Sequence, residues 1–167
     1  IMTGCNESFQ SSNSRVELDI PHDSLFTPYS WVKEDMRDLG LDSLDFDPEV
    51  TALRLWLYHS VKNPRKVITI RRVNGEWSGE EITYTWFSAD KKYFGITERR
   101  EVKPKSGWEE FMSSLETLGI LSLKDHNVLK GPDHGFTDGI GYCIEYKSKN
   151  RYRFFHYHCP YHFKNQF

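Results

Sequence analysis

Residues 51–60 alternate strictly. Leu53, Leu55, Leu57 and His59 fall on one side, and Arg54, Trp56, Tyr58 and Ser60 on the other. That period of two predicts a β-strand. Asn63-Pro64 then marks a turn, and Val67–Val73 is a second β-rich run. It ends in Asn74-Gly75, the pair that suits a tight hairpin because both central residues need positive φ. The return strand is predicted over Glu80–Phe87, with Ile82, Tyr84 and Trp86 on one face, and a further strand over Tyr93–Val102. Two more are predicted near Tyr142–Lys147 and Arg151–His158. A three-residue loop, Ser148-Lys149-Asn150, with Asn150 left-handed, would set Glu145 opposite Arg153 and Tyr142 opposite His156.

Two stretches follow a helical period instead. Thr27-Pro28 supplies a cap and a first-turn proline, Trp31, Val32, Met36 and Leu39 form an apolar stripe, and Gly40 ends it. Ser106-Gly107-Trp108-Glu109 fits a capping box, followed by Trp108, Phe111, Met112, Leu115 and Leu118 at helical spacing and by Gly119. The predicted order is helix, four strands, helix, two strands. It implies an α+β fold over residues 25–167: a six-stranded antiparallel sheet, with room for strong curvature, and two helices packed on one face.

Composition narrows the function classes. The chain has 167 residues, enough for one domain and a tail. Aromatics are 15% of it, which supplies a core despite modest aliphatic content. The 22 Lys+Arg against 24 Asp+Glu leave no basic excess, so no nucleic-acid partner is expected. No run reaches the ~20 apolar residues of a membrane-spanning helix.

The first residues carry the sharpest signal. Ile1-Met2-Thr3-Gly4-Cys5 is followed by a polar Ser/Asn-rich stretch, with only Val16–Ile20 alternating like a short strand. Thr3-Gly4-Cys5 resembles the end of a bacterial lipoprotein signal peptide. Together with the Leu118-Gly119-Ile120 helix end and Asp138-Gly139 leading into Tyr142 and Ile144-Glu145, the chain resembles short lipoproteins of Gram-negative bacteria. The resemblance implies that residues 1–4 are residual signal peptide and that Cys5 bears the lipid. Residues 5–24 would then be largely a tether, and the globular part would sit at the cell envelope on a membrane anchor. It implies no activity. An ordinary cysteine near the terminus is the alternative reading of Cys5.

Candidate chemistry is sparse. His156 and His158 share a strand face, and with His162 or Cys159 they could hold a transition metal such as zinc. The plainer alternative is an aromatic-rich strand whose histidines pack in the core. A Cys143–Cys159 disulfide is disfavoured, because the expected register sets Cys143 against Phe155, four residues short of Cys159. Ser122, Asp125, His126, Asp133, His134 and Asp138 gather acid and imidazole in one long loop, where turn formation alone also accounts for them. The charged runs Arg71-Arg72 and Glu98–Glu101, with Trp56, Tyr58, Trp77 and Trp86, could form a partner-binding face if those aromatics are exposed. No nucleophile elbow, phosphate loop, dinucleotide fingerprint or zinc-protease motif occurs. The expectation is a non-catalytic binding module for a protein or small ligand, an immunity- or inhibitor-like role included. The alternative is a metal-dependent protein using His156, His158 and His162.

Overall fold

The computed structural model describes residues 16–21, 28–44, 50–59, 64–86, 95–129 and 139–160. The elements are β1 (Glu17–Asp19), α1 (Pro28–Asp38), β2 (Thr51–His59), β3 (Arg65–Val73), β4 (Glu76–Thr85), β5 (Gly95–Glu101), α2 (Trp108–Thr117), two 3-10 turns (Ile120–Ser122 and His126–Val128), β6 (Ile140–Ser148) and β7 (Arg151–His158). The strands make one open sheet in the order β1-β7-β6-β2-β3-β4-β5. Among the described residues the class is α+β with two helices, but the sheet has seven strands, not six, and is mixed, because β1 runs parallel to β7. The extra strand is the short alternating stretch after the polar N-terminal segment. It finds a partner only at the edge of β7, a pairing that no local pattern encodes.

The helices lie on opposite faces, which corrects the expectation of one shared face. Cross-strand neighbours share a face, so the ladder assigns sides. Trp56, Cys143, Val67 and Ile82 belong to the core beneath α1, with Val32, Met36 and Leu39 of that helix. Leu53, Ile70, Ile144 and Phe155 belong to a second core with Met112, Trp108 and Phe111 of α2. Strands apolar on both sides need cover on both sides, and one helix per face supplies it.

Local signals behave unevenly. Asn74 and Gly75 both take positive φ, and Val73 faces Glu76 across the predicted two-residue turn. Gly40, at φ 65°, ends α1 as expected. The Leu41 N–H donates to Met36 O at 2.9 Å and the Gly40 N–H to Arg37 O at 3.1 Å, the paired bonds of a Schellman motif. The capping box at Ser106 does not form. Gly107 is the N-cap at φ 85°, its N–H donating to Pro104 O at 3.1 Å, and the Ser106 hydroxyl donates to Gly107 O. A turn from Pro104 to Gly107 thus starts the helix one residue later than the motif implies.

The β6–β7 register also differs. Ser148 pairs with Arg151, so the loop is Lys149-Asn150, and Lys149, not Asn150, has positive φ. One residue of slip sets Glu145 against Phe154 and Arg153 against Tyr146. The reason is burial: this register sends Tyr152 and Phe154 under α1 and Phe155 and Tyr157 toward α2. Arg153 instead holds the edge. It donates to Asp19 Oδ2 at 2.8 Å, to Leu121 O, and to Leu123 O at 3.0 Å.

Within the α1-side core is a buried polar cluster. Arg54 and Glu145 are wholly buried. Glu145 accepts hydrogen bonds from Trp56 Nε1 at 2.7 Å and from Tyr152 OH at 2.8 Å, and it lies 3.5 Å from Arg54 Nη1. Arg54 also donates to Thr69 Oγ1 at 3.1 Å and to Asp42 O at 3.0 Å. The carboxylate thereby ties β2, β6 and β7 together.

Candidate functional site

Three strands end and two begin near one end of the sheet. Tyr58 and His59 close β2, Arg65 opens β3, and Trp86 follows β4. Gly141 lies near the start of β6 and His156 and His158 near the end of β7. With Trp31 and Asp35 of α1 they line a cleft of about 620 Å³. That is within the range of small-molecule sites, roughly 300–1,000 Å³. Gly141 contributes no side chain, and a Cβ placed there meets Tyr58 Cβ only at 3.6 Å.

One wall is built around Arg65. Its guanidinium carbon stands 4.0 Å from the Trp86 ring centroid and 4.8 Å from that of Tyr58. Both rings hold it by cation–π attraction. Arg65 Nη1 is 3.6 Å from Asp35 Oδ2, and Tyr84 OH donates to that same oxygen at 2.8 Å. Burial raises the Asp35 carboxyl above its ordinary range, and the Tyr84 hydrogen bond and the Arg65 charge only partly oppose it. The same burial raises the Tyr84 and Tyr58 hydroxyls, so both stay protonated donors.

The opposite wall holds a dyad that joins β7 to a loop. His156 Nδ1 is 2.8 Å from Asp125 Oδ2, and the His156 backbone N–H donates to that oxygen at 2.8 Å. The Asn127 N–H donates to Asp125 Oδ1 at 2.9 Å. Burial works against ionisation of Asp125, but these hydrogen bonds and the facing imidazole outweigh it and hold the carboxyl below its ordinary value. Cys143 pairs with His156 across the ladder, giving a Cys–His–Asp order in space. Burial, reinforced by the carboxylates of Glu145, Asp125 and Asp35, pushes the Cys143 thiol well up. A thiol held protonated is a poor nucleophile, so the arrangement favours packing over covalent chemistry.

The expected site residues are only partly brought together. His156 and His158 both line the cleft. His162 and Cys5 lie outside the described residues, as do Asp133, His134 and Asp138. Among the described residues, no three His, Cys, Asp or Glu side chains are placed to hold a metal ion. Cys143 and Cys159 are free thiols. Of the loop acids, Asp125 does pair with an imidazole, but with His156 of β7. The proposed aromatic face is not contiguous: Trp56 and Tyr58 are buried beneath α1, while Trp77 packs on the α2 side beside Arg72. Asp35 and Arg65 were not singled out from the sequence. The available signal was Asp35 itself, an acid three residues after Val32 on the apolar stripe of α1.

Comparison with known proteins finds no matching family model, no similar curated protein and no similar solved structure.

Proposed function

We propose that this protein is a non-catalytic binding module of the bacterial cell envelope, anchored by lipid on Cys5, that takes a small ligand in the cleft at the strand ends. One observation carries the binding role. A cleft of about 620 Å³ joins apolar walls to a few fixed polar groups, the composition typical of ligand sites. The anchor rests on the Thr3-Gly4-Cys5 resemblance.

The cleft is tested by plugging it. Small aromatic fragments should give saturation-transfer NMR signals with the wild-type chain and lose them with Gly141→Phe, which grows a ring into the cleft from β6. Equal signals from both proteins would move the site elsewhere. The anchor is tested separately: native protein should partition with membranes, and Cys5→Ser should release it. An unacylated wild-type chain by mass spectrometry would end that part of the proposal.

A metal centre on His156, His158 and His162 is the second reading. The observation favouring it is the carboxylate on His156 Nδ1, the arrangement that orients metal-bound imidazoles. Stoichiometric zinc in untagged protein, lost in His156→Ala and His158→Ala, is its expected result. Metal-free wild-type protein after zinc loading would remove it.

A further inference from the structure

Arg65 carries five N–H donors. Its side chain is 12% exposed, and its ion pair to Asp35 is long, at 3.6 Å. The Asp35 oxygen at 3.6 Å is beyond hydrogen-bond distance and already takes the Tyr84 hydroxyl. A guanidinium pressed between two rings in the wall of a cleft, with only a long ion pair to Asp35, is pre-organised for an acceptor brought from outside. Its planar fork matches a carboxylate, which can accept two parallel hydrogen bonds.

Two further features narrow the class. On the other wall, Asp125 occupies His156 Nδ1, leaving Nε2 as the ring nitrogen that can meet a ligand. Glu34 and Asp35 also line the cleft, so a doubly charged phosphate meets more repulsion than a single carboxylate. Much of the remaining lining is aromatic, with Trp31, Tyr58, Trp86 and Tyr157. Trp31 is 56% exposed on α1 at the cleft, free to cover an apolar body.

We propose that the cleft binds a small organic carboxylate, its head group on the Arg65 guanidinium and its apolar body against the aromatic wall. This rests on the cleft being the binding site. The test uses four probes with one ring and different heads: phenylacetate, phenylacetamide, phenethylamine and phenyl phosphate. They are titrated calorimetrically into the full chain. Phenylacetate should bind about tenfold or more tighter than the other three, the usual scale of a charge-assisted hydrogen-bond pair. Arg65→Gln should abolish that preference. Arg65→Lys should restore little of it, because an ammonium lacks the fork. Arg99→Gln, on β5, should leave it intact.

The head-group order within the wild-type protein stands even if an Arg65 variant folds poorly. Equal binding of all four probes, lost in Gly141→Phe, would keep the cleft and overturn the carboxylate. Preference for phenethylamine would assign the acids instead, and preference for phenyl phosphate would assign a dianion; either overturns the proposal. No binding by any probe would overturn the cleft and the carboxylate together.

Discussion

Glu145 has no solvent contact and holds three partners from two neighbouring strands. Replacing it with Gln would leave Arg54 buried beside a neutral amide. Urea unfolding of Glu145→Gln should show a loss of about 3–5 kcal/mol, the usual cost of breaking a buried ion pair. A loss below about 1 kcal/mol would show that Arg54 draws its compensation from elsewhere. Asp125 makes a pH prediction of definite sign. Folding favours its ionised form, so its contribution is present above the ordinary carboxylate range and is lost as pH falls through its lowered folded value. Stability measured from neutral pH down to that region should fall for the wild type and fall less for Asp125→Asn; identical acid limbs would count against it. These sites were only half legible in the sequence. Alternation places Arg54 with Trp56 and Tyr58, but a three-residue loop at Ser148-Lys149-Asn150 sets the core-facing Glu145 opposite Arg153, whereas the two-residue turn sets it opposite Phe154. The Asp125–His156 contact spans 31 residues between a loop and a strand, and no spacing rule reports it.

Elements governed by short-range chemistry were the most readable. The Asn74-Gly75 hairpin and the Gly40 helix stop depend on positive φ, which few residues tolerate, so identity alone points to them. The capping box failed because Pro104 and Gly107 form a competing turn over the same residues. How the elements dock is less visible, and Gly79 shows why. In β4 it looks like a weak strand residue, yet a Cβ there would lie 2.6 Å from the Trp108 ring and 2.9 Å from Val102 O. Gly79→Ala should therefore push α2 off the sheet and cost about 1–3 kcal/mol, as overpacking commonly does. Thermal unfolding with near-ultraviolet circular dichroism reads both the stability and the Trp108 environment. An unchanged spectrum and midpoint would mean that the helix shifts freely.

For the whole molecule, class and helix count followed from periodicity, while topology did not. β6 enters between β2 and β7, and β1 returns to the far edge, so long-range pairing sets the order. Apolar residues on both sides of β2 and β6 were the available sign that the sheet is covered twice. Depth in that layered arrangement should appear in hydrogen exchange: amides of β2 and β6 should open only with global unfolding, and those of the exposed edge strand β5 by local fraying. Equal protection across the sheet would contradict the layering. The parallel strand β1 also gives the molecule a polarity. Glu17 lies against Arg151 beside the β6–β7 turn, whereas His158 and the cleft are at the other end of β7. Arg151 and His158 are the first and last of eight strand residues, about 23 Å apart at the usual rise. The start of the edge strand and the mouth of the cleft therefore lie at opposite ends of the sheet, so a bulky group joined ahead of β1 should leave ligand access to the cleft unchanged.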